Sequence, residues 1–232
     1  PGEAAAPDPA EDEFVDLEPF VVTPTRGPRR LEQAPSLTSL ITAADILEEQ
    51  PRTLPEALDE LPGVMVQKTG HGQGSPFIRG FTGFRNLLLI DGIRLNNSVF
   101  RDGPNQYWNT IDPYSIDRLE VVKGPGSVLY GSDAIGGTVN VLTTGPLLAG
   151  EGLHVGGRGF YRLSTAERSH TYRGSVEVVQ DGTVGLLVGG TFRDYGDLET
   201  GGGRNPQTGY EELDFDAKLE WRIDEGVRLV VA

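Results

Sequence analysis

The sequence predicts a compact α+β domain followed by the first antiparallel strands of a transmembrane β-barrel. Between residues 64 and 144, short apolar runs are separated by Gly, Asn, Asp and Pro. Beyond residue 150, long segments alternate strictly between apolar and polar side chains. The chain also contains 32 Gly and 16 Pro without a triplet period, which indicates many tight turns. Two-faced strands of about ten residues or more are typical of strands that cross a membrane.

The composition excludes several classes of function. The 34 acidic side chains outnumber the 20 basic ones, and nucleic-acid binding needs clustered Lys and Arg, so we expect no nucleic-acid partner. Without Cys, the chain has no disulfide and no thiolate metal site. It has only three histidines and no hydrolase or metalloprotease motif, so the sequence predicts no catalysis, no metal and no cofactor.

The N-terminal region has two parts. Residues 1–19 are acidic and rich in Pro and Ala, and they are predicted to form a disordered leader. Residues 20–26 form a short β-prone run that Pro24 interrupts. From the residues alone, this run could be an edge strand of the domain that follows.

Two short helices are predicted before the glycine-rich region. Thr42 is a suitable N-cap for a helix over Ala43–Glu49, and Thr53 for a second helix over Leu54–Leu61. Pro51 ends the first helix, and Pro62 with Gly63 ends the second. The leucines of the second helix recur at helical spacing, which predicts a face that packs on the core.

The α+β domain is predicted to contain five strands. The continuously apolar run at residues 87–90 suits a central strand that is covered on both faces. The candidate strands are Val64–Gln67, Phe77–Arg79, Asn86–Asp91, Arg118–Lys123 and Val139–Thr143.

The barrel prediction depends most on residues 212–223. Charged side chains at the even positions alternate with apolar side chains at the odd positions, from Glu212 and Leu213 to Arg222 and Ile223. Strands are also predicted near residues 152–163 and 168–180. The turns at residues 180–183 and 224–226 are tight, whereas the link over residues 196–210 is long and polar. Short turns at one end and longer loops at the other are typical of outer-membrane barrels.

Several motifs resemble those of TonB-dependent receptors. From Ile116, the run IDRLEVVKGPGSVLYGSDAIGGTVNVLT is similar to the C-terminal plug signature of that family. Upstream, LPEALDELPGVMVQ, PFIRGF and LLLIDGIRLN follow in the family's order. The resemblance implies a plug domain over residues 27–145, enclosed in the intact family by a 22-stranded barrel in the cell outer membrane. Residues 150–232 would supply the first four or five strands, so we expect the sequence to be a truncated receptor.

The segment EPFVVTPTR is similar to the family's TonB box. The resemblance implies that TonB binds it by adding it as a strand to an exposed sheet edge. The implied TonB-binding residues are Phe20, Val21, Val22, Thr23, Pro24 and Thr25.

Plug–barrel and ligand contacts are also implied by position. Basic plug residues of the family pair with acidic side chains of the barrel wall, which points to Arg79 and Lys123. Lys123 departs from the usual Arg and lacks its bidentate geometry. The ligand is expected at the plug apices, in loops where aromatic side chains, Arg and amides suit a bulky, partly anionic molecule. The candidate ligand-binding residues are His71, Gln73, Phe100, Arg101, Asn105, Gln106, Tyr107 and Trp108. Tyr107 and Trp108 could instead pack beneath their loop.

The resemblance implies active import of a scarce nutrient complex, with a ferric siderophore as the leading ligand. Haem and cobalamin remain alternatives. A glycan receptor or a signal-transducing receptor is less favoured, since both usually carry an additional N-terminal domain. The expected partners are TonB, the ligand and outer-membrane lipid.

Overall fold

The computed structural model describes residues 19–99, 102–165, 167–224 and 226–232. It contains an α+β plug followed by a curved wall of long antiparallel strands, so the predicted fold class is confirmed. The predicted disordered leader, up to residue 18, lies outside the described residues.

A small hairpin opens the described part of the chain. Strands β1 (Phe20–Val21) and β2 (Arg29–Arg30) pair antiparallel, and a 3-10 helix at Leu31–Gln33 follows. The run that Pro24 interrupts is therefore a two-residue strand followed by a turn, in which Thr25 N donates to Val22 O at 3.4 Å.

The plug is built on a mixed five-stranded sheet in the order β3-β8-β9-β6-β7, beside a separate β4–β5 hairpin. Only the β6–β9 pair is parallel among the pairs of this sheet in the described residues. Short 3-10 helices lie at Gly83–Arg85, Tyr107–Thr110 and Pro113–Ser115. The elements are β3 (Leu37–Thr42), α1 (Ala43–Glu49), α2 (Leu54–Ala57), β4 (Val64–Gly70), β5 (Gln73–Ile78), β6 (Asn86–Ile90), β7 (Ile93–Arg94), β8 (Ile116–Lys123), α3 (Ser127–Tyr130) and β9 (Gly137–Thr143).

Helix α1 has the predicted bounds because a capping box fixes its start. Asp45 N donates to Thr42 Oγ1 at 3.3 Å, and Thr42 N donates to Asp45 Oδ2 at 2.7 Å. Helix α2 is shorter than predicted, because turns with i to i+3 hydrogen bonds replace it after Ala57. Its leucines nevertheless pack on the core, and Leu54 and Leu58 are fully buried.

Strand β6 is covered on both faces, as predicted. Leu88 joins the main plug core, whereas Leu87 and Leu89 join a second cluster with Ala134 on the opposite face. This central position holds the plug sheet together, because burying apolar surface on both faces is the main favourable contribution to folding.

The wall follows as a meander in the order β10-β11-β12-β15-β16, with every pair antiparallel. The outer face is apolar, and Leu213 and Phe215 remain 60% and 79% exposed. The charged side chains turn inward, and Lys218 and Glu220 are buried against the plug side. An apolar outer face with polar side chains inside is the arrangement of a membrane barrel. The elements are β10 (Leu153–Ser164), β11 (Ser169–Gln180), β12 (Val184–Tyr195), β13 (Glu199–Thr200), β14 (Gly203–Arg204), β15 (Tyr210–Asp224) and β16 (Val227–Val231).

The predicted tight turn between β11 and β12 is present. Asp181 and Gly182 both have positive φ, 51° and 57°, and Thr183 N donates to Gln180 O at 2.9 Å, so a tight turn connects the paired residues Gln180 and Val184. The longer link between β12 and β15 contains the small β13–β14 hairpin. No helix among the described residues is both long and apolar enough to cross a membrane.

Candidate functional site

The predicted TonB-binding segment is docked on the plug through one carboxylate oxygen. Val22 N and Thr23 N donate to Glu120 Oε2 at 2.8 and 2.7 Å, and Thr23 Oγ1 donates to the same oxygen at 2.6 Å. Val21 and Thr23 are essentially buried. The segment is thus held in a compact turn rather than as a free extended strand.

Glu120 is fully buried in β8, and Arg118 Nε donates to its other oxygen, Oε1, at 3.2 Å. A buried carboxylate is costly unless it is paired and hydrogen-bonded. The backbone N–H groups of the docked segment therefore donate hydrogen bonds to a carboxylate that would otherwise be buried without them. Sequence reasoning missed Glu120, although a lone acid within the apolar run of residues 119–122 was a signal that some partner must cover it.

Two further plug side chains hold the same segment. Tyr130 Oη donates to Thr23 O at 2.7 Å, and Asn140 Nδ2 donates to Thr23 Oγ1 at 3.1 Å. The Arg26 guanidinium lies over the Tyr130 ring at 5.3 Å from its centre. Thr23 is therefore the best-anchored residue of the segment.

The two predicted plug apices, the first at residues 71–76 and the second at residues 96–109, meet at a pair of amides. Gln106 Nε2 donates to Gln73 Oε1 at 3.2 Å, and Asn105 N donates to Ser75 Oγ at 3.1 Å. Asn109 joins the loops from below, since its side chain accepts from Gly74 N and donates to Gly74 O. The second apex thus rests on the β4–β5 hairpin.

The remaining apex residues differ in exposure. Trp108 is buried in the main plug core, which is the packing role considered as the alternative, and Tyr107 is half-buried. Phe100 and Arg101 lie outside the described residues. For the described apex residues, a role in ligand binding stays a prediction.

His71 is not on the plug surface but between the plug and the wall. Its side chain is 1% exposed, its Nδ1 lies 3.7 Å from Glu167 Oε2, and its ring lies 6.2 Å from that of Tyr195. Neither ring nitrogen has a hydrogen-bond partner among the described residues. Burial, with the nearby Arg52 cation, lowers the pKa of His71, and Glu167 opposes this only in part.

The two basic residues predicted to contact the wall do not reach the described part of it. Lys123 Nζ donates to the plug carbonyl Pro62 O at 3.1 Å, and burial lowers the pKa of this ammonium. Arg79 is exposed beside Gly124 and forms no ion pair with any described residue. Their pairing with the wall stays a prediction.

The plug–wall ion pairs that the structure contains mostly have the opposite polarity. The plug residue Asp112 accepts from Arg173 Nη1 at 3.1 Å and from Thr191 Oγ1 at 2.5 Å. The plug residue Asp91 pairs with Lys218 at 3.2 Å. Among the described residues, the contact of plug Arg52 with wall Glu167, at 2.5 Å, follows the predicted polarity, and His71 lies beside the same carboxylate.

The wall arginines at this contact also have acidic partners of their own. Arg193 is fully buried, with Asp214 at 2.6 Å, and Arg173 Nη1 lies 2.8 Å from Asp216. Burial raises the pKa of Asp112, and the neighbouring Arg193 and Arg173 moderate the rise. The wall arginines are thus already neutralised by acidic side chains of the wall. Asp112 therefore attaches the plug to the wall without being needed to neutralise them.

The fold and these contacts define a class: a membrane barrel wall with an internal plug. Residues 30–138 match the family model described as the TonB-dependent Receptor Plug Domain. Residues 30–138 therefore belong to the plug-domain family of TonB-dependent receptors.

Named relatives agree with this assignment. The chain is 41% identical over 127 residues to the vitamin B12 transporter BtuB of Vibrio vulnificus (strain CMCP6), which covers 53% of this chain and 20% of that protein. It is 37% identical over 139 residues to the iron-regulated outer membrane virulence protein of Vibrio cholerae serotype O1, covering 58% of this chain and 21% of that protein. The predicted outer-membrane location is confirmed by these relatives.

Solved structures share the fold. The copper transporter OprC aligns with a TM-score of 0.68 and 23% identity, over 82% of this chain and 28% of that one. The siderophore receptor PirA from Acinetobacter baumannii aligns with a TM-score of 0.62 and 22% identity, over 84% of this chain and 31% of that one. The chain thus spans less than a third of the length of these receptors.

Proposed function

We propose that the chain is the energy-coupled part of a receptor that imports a scarce nutrient complex across the outer membrane. The observation that carries the proposal is the docking of residues 20–25 on Glu120. The ligand binds at the outer plug loops and the barrel loops. TonB then pulls on the docked segment from the periplasm.

Docking and TonB binding exclude each other in this scheme. Strand addition uses backbone N–H and C=O groups of the added peptide. The N–H groups of Val22 and Thr23 are engaged by Glu120, and the Thr23 carbonyl is engaged by Tyr130. The segment must therefore leave Glu120 before it can pair as a strand with TonB.

The leading ligand is a ferric siderophore, and the similarity to an iron-regulated outer-membrane protein supports it. Cobalamin is the second candidate, because the relative with 41% identity is a vitamin B12 transporter. Both ligands are bulky metal chelates, which suits an importer that must move a plug to let its cargo pass.

Uptake in cells tests both parts of the proposal. The full-length receptor is expressed in a host that lacks its own receptors, and the accumulation of radiolabelled ferric siderophore and radiolabelled cobalamin is measured. Val22→Pro removes a strand N–H, so ligand binding at the cell surface should persist while uptake falls to background. Val22→Ala is the matched control, since it keeps the N–H and should retain uptake.

The outcomes separate the alternatives. Accumulation of only one of the two labels identifies the ligand. Full uptake by the Val22→Pro receptor would contradict the coupling role of residues 20–25. Surface binding of neither label would remove both chelates as ligands.

A further inference from the structure

A cavity of about 510 Å³ lies between the plug and the wall, away from the plug apices. The plug side is formed by α1 and the 3-10 helix at Pro113–Ser115, and the wall side by β10, β11 and β12. This volume falls within the range of roughly 300–1,000 Å³ that is usual for small-molecule sites. The cavity is thus large enough for a ligand of its own.

The plug side and part of the wall are apolar and aromatic. Ile46 and Leu187 face the cavity, and so do Tyr114 and Phe160, whose rings meet edge to face at 4.8 Å between centres. Gly157 and Gly159 line the wall without side chains. Such a corner accepts a planar ring, because aromatic rings pack well edge to face and offset.

The same cavity carries positive charge. Arg158 lines it and makes no ion pair or hydrogen bond through its side chain with any residue that the structure describes. Arg173 also lines it, but its guanidinium is held by Asp112 and Asp216. Arg158 is therefore the cation that is available to a ligand, and a guanidinium binds oxyanions through directed N–H donors.

We propose that this cavity is a binding site for a compact aromatic anion, such as an aryl carboxylate or an aryl sulfonate. Arg158 binds the anionic group, Ser175 supplies a hydroxyl from the wall, and the ring packs against the apolar surface that Tyr114, Phe160 and Ile46 form. The site is distinct from the apex loops, and binding there needs no energy input. Its test is therefore independent of the transport proposed above.

Ligand-observed fluorine NMR on the full-length receptor in detergent measures this binding. The probe is 4-fluorobenzenesulfonate, which is anionic at every working pH, and its neutral counterpart is 4-fluorobenzenesulfonamide. Arg158→Gln should raise the dissociation constant of the sulfonate about tenfold, as expected for the loss of one charged hydrogen-bonding partner. Ser175→Leu fills the cavity and should abolish binding of both probes.

Arg222→Gln is the matched control, because it removes an exposed arginine from a wall strand outside the cavity. It should leave the dissociation constant unchanged. The sulfonamide should bind more weakly than the sulfonate and should not respond to Arg158→Gln.

Three results would overturn the proposal. These are equal weakening by Arg158→Gln and Arg222→Gln, equal affinity for the two probes, and unchanged binding in the Ser175→Leu receptor. Arg158 is exposed and makes no buried contact, so its replacement keeps the test valid even if Ser175→Leu fails to fold.

Discussion

At the scale of single residues, Glu120 holds the proposed TonB-binding segment in its docked position. Its Oε2 accepts three hydrogen bonds, two from backbone N–H groups and one from a hydroxyl. Each hydrogen bond to a charged group contributes about 1.5–3 kcal/mol. Glu120→Gln removes the charge, so we expect the undocked fraction in the ligand-free receptor to rise about tenfold or more. A spin label at position 20, whose native Phe20 is exposed, reports this as a mobile spectral component.

Asp117→Asn is the control for this change, because Asp117 is an exposed acid of the same strand that pairs only with Arg118 among the described residues. It should leave the label immobile. An equally immobile label in the Glu120→Gln receptor would show that other contacts hold the segment.

We expect the packing of the plug on the wall to depend on pH, because His71 is buried between them. Burial and Arg52 lower its pKa, so the folded state binds the proton less readily than the unfolded chain does. The stabilisation by neutral His71 is therefore complete above the ordinary imidazole pKa and is lost as the pH falls through the lowered value. The protection factors of residues 69–74 against hydrogen exchange, which correct for the slower intrinsic exchange of amides at lower pH, should fall between pH 7 and pH 5 in the intact receptor.

The groups that face His71 include both signs of charge. Glu167 and Glu56 favour its protonation, whereas Arg52 opposes it. His71→Gln should flatten the pH dependence at residues 69–74, whereas His154→Gln, at an exposed histidine of β10, should preserve it. The same fall in the protection factors of the His71→Gln receptor would assign the effect to other groups.

The sequence could identify loops and segments but not their partners. The docked segment at residues 20–25 and the apex loops were recognised by resemblance. Glu120 and Asp112 were missed, because their partners lie 97 and 79 residues away along the chain. An acidic residue within an apolar run indicates, from the sequence, that some partner covers it. Only the fold shows which residue that partner is.

At the scale of elements, the sequence predicted correctly those elements whose bounds depend on interactions between residues that are close together in the chain. Helix α1 was predicted to the residue, because Thr42 and Asp45 cap it by themselves. Strand β3 was missed, since its six residues acquire strand structure by pairing with β8, about 80 residues later. The wall strands were predicted well because alternation is strict over residues 212–223 of β15 and continues, with interruptions, along the 12 residues of each of β10, β11 and β12.

Asp112, at the start of the Pro113–Ser115 helix, links this helix to the wall. Its replacement therefore tests how firmly the helix is attached. Asp112→Asn should loosen it without exposing an unpaired charge, because Arg173 keeps Asp216 and Arg193 keeps Asp214. We expect hydrogen exchange at residues 110–116 to increase several-fold, while the wall strands remain protected.

Asp214→Asn provides the contrast. It removes a partner at 2.6 Å from the fully buried Arg193, which should destabilise the wall by about 1–3 kcal/mol. The denaturation midpoint of the receptor should therefore fall for Asp214→Asn more than for Asp112→Asn. The reverse order would show that Asp112 is needed to neutralise the wall arginines.

At the scale of the whole molecule, the outer face of the wall matches a membrane in height. Along β15, the apolar side chains of the outer face continue from Leu213 to Ile223. Ten steps of about 3.4 Å span roughly 34 Å along the strand, and a tilt of about 40° reduces this to a height of roughly 26 Å, close to the apolar band of about 25 Å on outer-membrane barrels. At one end of this band, Tyr161, Tyr172 and Phe192 form a row of neighbouring rings. Aromatic girdles at the membrane boundary are a known feature of such barrels.

The wall needs further strands to pair the open edges of its described part. The plug core does not depend on further strands. In the described part, β10 and β16 are edge strands with a neighbour on one side only. Open edges are not tolerated in a bilayer, because unpaired backbone groups cost several kcal/mol each there. The plug core, in contrast, is assembled from plug residues, with Phe160 as its one partly buried wall contact among the described residues.

We therefore expect residues 1–232, produced alone with lipid vesicles, to keep a folded plug but to form no pore. Outside the predicted disordered leader at residues 1–19, limited proteolysis should cleave within residues 153–231 first and leave a fragment that contains residues 37–143. Planar-bilayer recordings should show no conductance steps, with the full-length receptor lacking its plug as the positive control, and the intact receptor is the control for the proteolysis. A monodisperse, membrane-inserted product that conducts ions would contradict this expectation, because five strands would then have closed their edges without the rest of a barrel.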